Sequence, residues 1–181
     1  MSVELILGIL GTTTGIAALI IQAMSFRAYV PRLKFKEVSR NSFAFDPNDL
    51  SIEGYKTDKS CVITFEIRNI SAMPTTIDAV YISARKKRKY PHDPGFRVTA
   101  PRIPLDDGRY TEISIPKNIV LPLRIDAYDS VNGSFRFPFM PDQLSFIVCA
   151  ETPLKTYSRK VKLEEFQAIR DRVQSQYRVK P

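Results

Sequence analysis

The sequence predicts a mainly β protein, with an antiparallel β-sandwich between an N-terminal transmembrane helix and a C-terminal amphipathic helix. No residue from Leu5 to Phe26 is formally charged. At least seven short β-branched or aromatic segments separated by turns follow, and Leu163 to Arg178 repeats its apolar residues with a helical period. We expect five consecutive regions: a flank 1–4, a transmembrane helix 5–26, a juxtamembrane linker 27–31, a sandwich 32–163, and a helix with tail 164–181.

The uncharged N-terminal stretch is long enough to cross a membrane. At about 1.5 Å per residue it covers the roughly 30 Å apolar core of a bilayer. It is too long for a signal peptide and lacks a positive n-region, although cleavage after Ser25, on the small residues Ala23 and Ser25, is the alternative. We expect a single-pass helix.

The charges that flank this helix predict its orientation. Arg27, Arg32, Lys34 and Lys36 follow the apolar stretch, whereas no Lys or Arg precedes it. The positive-inside rule then places the N-terminus outside the cell membrane and the sandwich in the cytosol. An extracytoplasmic domain carried by a signal anchor is the alternative.

Small residues on one face of the helix predict helix pairing. At 100° per residue they fall on a narrow arc, which lets a second helix approach closely. This face consists of Gly8, Gly11, Gly15, Ala18 and Gln22. We expect it to pair with itself or with another membrane protein; the alternative is that glycines are simply common in membrane helices.

Composition limits the protein class. The chain has 181 residues, of which 44% are apolar, so one soluble domain with a sizeable core is expected. A net charge of +8 favours an anionic neighbour such as phospholipid head groups. Cys61 and Cys149 are too few for a disulfide-dense scaffold, and they form either one bridge or two buried thiols, which a cytosolic domain keeps reduced.

The first half of the soluble region contains the clearest strand. In Cys61 to Ile67, alternate apolar residues share one face. Thr75 to Ala84 is a second strand, so the two form either an antiparallel pair or the two walls of a sandwich. Arg32 to Val38 alternates like a half-buried strand, whereas Asn41 to Tyr55 is predicted to be a loop.

The second half contains shorter strands and a closing hairpin. Leu144 to Ala150 and Lys155 to Leu163 flank a Pro-containing turn. The stretch from Cys61 to Ile82 resembles an immunoglobulin-type sandwich, and the hairpin is similar to its last two strands, although the chain has no Trp. The shorter candidates are Gly95 to Val98, Tyr110 to Ile115, Ile119 to Ile125 and Ser134 to Phe139.

The last segment is predicted to be an amphipathic helix that either covers an open end of the sandwich or docks onto a partner. Its apolar arc consists of Leu163, Phe166, Ile169, Val173 and Tyr177.

The sequence contains little that indicates catalysis. His92 is the only histidine, which rules out a multi-histidine metal site, and its loop position predicts a solvated side chain. No phosphate-binding loop or nucleophile elbow is present. The aspartates Asp106, Asp107, Asp126 and Asp129 fit turn chemistry better than a cation site. We expect no enzymatic activity, no metal and no cofactor.

A basic run is the most concentrated charge in the chain. It consists of Arg85, Lys86, Lys87, Arg88 and Lys89. Such a run contacts anionic lipid or the phosphates of nucleic acid, or else it is a solvated hairpin tip that prevents aggregation. Nucleic acid is the less favoured ligand, because a tether supplies lipid at high concentration.

Alternating phenylalanines precede the closing hairpin. Phe135, Phe137 and Phe139 form either a stacking surface for bases or, as we favour, part of the core.

The leading functional hypothesis is a membrane-anchored sandwich that binds a protein partner. A tethered sensor of anionic lipid or nucleic acid that acts through the basic run is the alternative.

Overall fold

The structure is a computed structural model that describes residues 2–45, 59–83, 88–96, 98, 102–105 and 108–177. Its elements, in chain order, are α1 (Val3–Tyr29), β1 (Leu33–Glu37), β2 (Phe43–Phe45), β3 (Ser60–Asn69), β4 (Thr75–Ile77), β5 (Ala79–Ser83), β6 (Lys89–Pro91), β7 (Arg102–Pro104), β8 (Tyr110–Glu112), β9 (Leu123–Ile125), β10 (Ser130–Phe137), β11 (Ser145–Glu151), β12 (Thr156–Lys162), β13 (Glu164–Glu165) and α2 (Phe166–Tyr177).

Helix α1 includes the predicted transmembrane stretch and continues past it to Tyr29, so the first part of the expected linker is helical. Its segment Leu7–Arg27 is long and apolar enough, by length and composition, to span a membrane. The hydroxyls of Thr13 and Thr14 donate to helix carbonyls one turn earlier, at 2.9 Å from Ile9 O and Leu10 O. Polar side chains that bond their own helix in this way are compatible with lipid.

The first sheet is built around β3. Strand β10 runs antiparallel along one edge of β3, with Ser130 opposite Arg68 and Phe137 opposite Cys61. Strands β1 and β2 share the other edge, and β13 extends the sheet beyond β2 in parallel. The predicted strand Cys61 to Ile67 is therefore confirmed as the centre of a sheet.

The second sheet has the order β12-β11-β5-β6. Strands β11 and β12 form the predicted closing hairpin, with Glu151 opposite Thr156 across its turn. Strand β5 pairs with β11 and not with β3, so the two strands predicted between Cys61 and Ala84 are the walls of a sandwich. The mainly β architecture with sandwich-like sheets and a helix at each end is confirmed.

The main core lies between the two sheets. Alternate residues of β3, such as Ile63 and Phe65, point into it together with Phe135 and Phe137 of β10, all at most 1% exposed. Six buried residues complete it from the second sheet: Val80, Ile82, Phe146, Val148, Ala150 and Val161. At about 25 cal/mol per Å² of apolar surface, this burial is the main stabilising contribution.

A second core covers the outer face of the first sheet. Phe43 and Phe45 of β2 and Val62 of β3 pack there against Phe166 and Ile169 of α2. The Phe43 and Phe166 rings lie 5.9 Å apart. Helix α2 thus covers a sheet face, whereas we expected it to cover an open end of the sandwich.

Three local predictions are wrong. Phe43–Phe45 is a strand within the predicted loop, because it completes the ladder beside β3. Phe139 is 50% exposed, since β10 ends at Phe137. The described residues of Gly95 to Val98 are not in a strand, although Phe96 is buried.

Gly133 permits the closest approach in the sandwich, and its replacement is predicted to destabilise the fold. A Cβ there would lie 2.5 Å from Ile119 Cγ1 and 2.9 Å from Lys117 O. The neighbouring segment cannot retreat easily, because Ile119 N donates to Ser134 O. We expect Gly133→Ala to lower the free energy of unfolding by about 1–3 kcal/mol in a thermal melt in mild detergent.

Asn132→Ala is the matched control, since Asn132 is exposed on the same strand. Equal melting temperatures for the two variants would contradict the close contact.

Candidate partner-binding face of the second sheet

The two outer faces of the sandwich differ. Helix α2 covers the β2 end of the outer face of the first sheet, whereas Lys34, Lys36 and Arg68 are exposed on the rest of that face. No described element packs on the outer face of the second sheet. We call this surface the open face. Its side chains, which alternate along the strands with core residues, are Tyr81, Ser83, Lys89, Ser145, Ile147, Cys149, Glu151, Ser158, Lys160 and Lys162.

A shallow groove lies at one end of the open face, where β5 ends and β11 begins. Ile147 is 46% exposed there, between Ser83 on β5 and Lys160 on β12. The groove continues to the loop 141–143, which lines it together with Tyr90. Ile147 is thus the one large apolar side chain that β11 exposes to solvent.

A polar cluster closes one end of the open face. Lys89 Nζ donates to Glu151 Oε1 at 3.0 Å and lies 4.2 Å from the centre of the Tyr81 ring. The hydrogen bond from Lys89 lowers the pKa of Glu151, and the same bond raises the pKa of Lys89. Burial and a hydrogen bond to Glu151 raise the pKa of Tyr81. The cluster ties β6 to β11 across β5.

The remaining lysines of the open face carry its charge. Lys89 is paired with Glu151, whereas Lys160 and Lys162 have no acidic partner among the described residues. Both are exposed on β12 beside the groove. The open face therefore combines one apolar centre with a positive border.

Both cysteines are buried free thiols, so the alternative of one bridge is not realised. Cys61 points into the main core, and Cys149 lies on the open face beneath Tyr81. Burial raises the pKa of Cys61 well above its usual range and raises that of Cys149 as well. A protonated, buried thiol is a poor nucleophile, so neither residue has catalytic surroundings.

His92 is buried, so the prediction of a solvated side chain is wrong. Arg136 N donates to its Nδ1 at 3.0 Å, and its Nε2 donates to Ile119 O at 2.8 Å. The Phe135 ring packs edge-on against the imidazole at 5.2 Å. The only histidine connects three segments of the core and is fully bonded, which fits a structural role.

The predicted helix-packing residues are all on the surface. Gly8, Gly11, Gly15, Ala18 and Gln22 are exposed, and a Cβ placed on any of the three glycines meets nothing within 4 Å.

The structure describes two residues of the basic run. Arg88 and Lys89 are exposed, and Arg85, Lys86 and Lys87 lie outside the described residues. Lys89 pairs with Ser83, at the end of β5 that points away from the hairpin turn near the helix. Ser83 lies four residues along β5 from Ala79, or about 13 Å, which exceeds the screening length of roughly 8 Å in physiological salt. The charge of Lys89 is therefore largely screened at the hairpin turn.

Two of the four candidate cation ligands are among the described residues. Asp106 and Asp107 lie outside the described residues, and Asp126 pairs with Arg124 at 3.2 Å. Asp129 accepts the Ser130 N–H at 2.7 Å, as turn chemistry predicts. Among the described residues, no group of three or more metal-ligating side chains forms.

Sequence reasoning missed the centre of the groove. Ile147 lies in the uninterrupted apolar run from Phe146 to Ala150, so periodicity did not mark it as exposed. Only the stacking of the sheets shows which side of β11 faces solvent.

No protein-family model matches the chain, and no curated protein matches it at a significant level of similarity.

The burial of the two thiols predicts slow alkylation. In the folded full-length chain we expect Cys61 to resist a maleimide and Cys149 to react several-fold more slowly than an exposed thiol, because both are buried and protonated. Mass spectrometry should show two labels per chain after denaturation without reductant. A missing label that reductant restores would contradict the free thiols. Ser145→Cys, exposed on β11 and four residues from Cys149, is the reactive control.

Proposed function

We propose that the chain is a non-enzymatic, single-pass membrane protein whose cytosolic sandwich binds a protein partner on the open face. The observation that carries this proposal is the asymmetry of the sandwich. Helix α2 covers part of the outer face of the first sheet, whereas no described element packs on the outer face of the second sheet, where Ile147 is exposed. Sandwich proteins commonly recognise partners through such surfaces, although fold alone does not assign a function.

The connection between helix and sandwich supports a role at the membrane surface. Tyr157 donates its hydroxyl hydrogen to Pro31 O at 2.8 Å, and Ile70 N donates to Arg32 O at 2.9 Å. The chain therefore passes from α1 into β1 without a free linker. Arg27, Arg32 and Lys34 at this junction support a cytosolic location.

The chemistry of the open face favours an acidic, partly apolar segment of a partner protein. Ile147 offers an apolar contact of the kind found at the centre of interfaces. Lys160 and Lys162 lack acidic partners among the described residues, so an acidic segment would gain new ion pairs with them.

We further propose that the sandwich is of the immunoglobulin type. Its support is the strand order, with β1, β3 and β10 adjacent in one sheet and β12, β11, β5 and β6 in sequence in the other. This matches the A-B-E and G-F-C-C′ neighbours of that fold. The β2–β13 extension and the α2 layer are additions to it.

Pairing of α1 is the second part of the proposal. The small-residue face is free of contacts within the chain, so a second helix can approach its backbone closely. A copy of the same chain or another membrane protein fits this face.

Photo-crosslinking tests the open face. A photoreactive residue at position 147 of the full-length chain in its membrane should give a discrete adduct with one protein. Charge reversal of Lys160 and Lys162 to Glu should reduce the adduct several-fold, because the acidic segment would be repelled.

The same photoreactive residue at position 110 is the control, since Tyr110 is 66% exposed on β8. Absence of an adduct from position 147, or an adduct insensitive to charge reversal, would argue against binding through the open face.

Matched substitutions test helix pairing. Gly15→Ile fills the small-residue face, and we expect it to lower energy transfer between labelled copies in liposomes several-fold, because the backbones can no longer approach. Ala17→Ile adds bulk to the opposite side of the helix and should leave the signal unchanged. Equal signals for both variants would exclude self-association through this face.

A further inference from the structure

The end of the sandwich next to the helix has an unusual surface. It consists of the turns 70–74, 126–129 and 152–155, and we call it the helix-proximal end. We propose that this end inserts apolar side chains into the anionic inner leaflet that surrounds α1, which fixes the orientation of the sandwich. The inference rests on the proposed membrane anchoring and adds a second contact with the same bilayer.

The position of Tyr29 places this end at the membrane interface. Tyr29 is the last residue of α1, two residues after the apolar span ends at Arg27, or about 3 Å further along the axis. It lines a common surface cleft with Met73 and Leu154. The turns 70–74 and 152–155 therefore lie at about the depth where a helix leaves the bilayer core.

The tips of these turns are apolar, which is rare for exposed turns. Leu154 is 69% exposed and follows a proline, whereas Met73 is 43% exposed and precedes one. Tyr128 is 63% exposed in the third turn, and its N–H donates to Ser71 O at 3.2 Å. Leucine, methionine and tyrosine together form the kind of surface that sits in the head-group region of a bilayer.

The helix-proximal end is rigid, so its side chains keep their positions relative to α1. Asn69 Nδ2 donates to Met73 O at 2.8 Å and to Asp126 O at 3.0 Å, which joins two of the turns. Arg32 N lies 3.4 Å from Ser71 Oγ, so the helix exit is attached to the same network. The turns 70–74 and 126–129 therefore cannot move relative to each other or to the helix exit without breaking these bonds.

The charge near this end favours anionic lipid. Lys34 and Arg68 are direct cross-strand neighbours on β1 and β3. Opposed like charges destabilise a sheet unless an anion neutralises them, and lipid phosphates and carboxylates supply that anion. The exposed basic residues near this end are Arg32, Lys34, Arg68, Arg124 and Lys155. The exposed acidic residues are Asp78, Asp126 and Asp129, so positive charge is in excess.

Tryptophan fluorescence can test this contact, because the chain contains no Trp. Three single-Trp variants of the full-length chain are needed. Leu154→Trp reports on the helix-proximal end, Ile16→Trp on the centre of α1, and Ile147→Trp on the open face. Each is reconstituted into vesicles of phosphatidylcholine and phosphatidylserine whose acyl chains carry bromine, which quenches nearby indoles.

We expect Ile16→Trp and Leu154→Trp to lose most of their emission and Ile147→Trp to retain it. Replacing phosphatidylserine by phosphatidylcholine should restore part of the Leu154→Trp emission. Quenching of Ile16→Trp without quenching of Leu154→Trp would overturn this inference and leave the anchoring intact. Emission from Ile16→Trp as strong as in unbrominated vesicles would overturn the anchoring itself.

Discussion

The burial of both faces of β3 is the constraint on which the rest of the structure depends. Its residues Cys61 to Ile67 are at most 1% exposed, apart from Glu66. A strand that water reaches on neither face needs a partner layer on each side, and its polar side chains need bonds inside the protein. The second sheet supplies the layer on one side. On the other side Val62 packs in the cluster that contains Phe96, Ile103 and the α2 residues, and Thr64 donates to Asn41 O at 2.8 Å.

This constraint also explains why one outer face stays open. The C-terminal helix is the only long element that follows the closing hairpin among the described residues, and β13 directs it alongside β2 onto the first sheet. No second helix follows the hairpin among the described residues to cover the second sheet. Its outer side chains are accordingly polar, with Ile147 as the large apolar exception on β11. The proposed binding face thus follows from where the only available helix packs.

The sequence predicts those elements whose signal is local. The alternation in β3 and the turn between β11 and β12 are visible in short windows, and both elements are as expected. Strand β2 was missed because only its ladder with β3, many residues away, defines it. The burial of His92 is not predicted, because the backbone groups that bond its ring belong to Arg136 and Ile119, which are distant in the sequence. For the same reason, the groove at Ile147 emerged only from the stacking of the two sheets.

The geometry of attachment determines which partners can reach the open face. Strands β5 and β11 lead away from the helix-proximal end, as Ala79 pairs with Glu151 beside the hairpin turn and Ser83 with Ile147 further away. If that end rests on the leaflet as proposed, the open face stands at the side of the sandwich, facing along the membrane surface. A partner anchored in the same bilayer would meet it at high effective concentration, so a small interface with modest intrinsic affinity is sufficient. Pairing through Gly11 and Gly15 would add a second linked contact, which couples helix assembly to occupation of the groove.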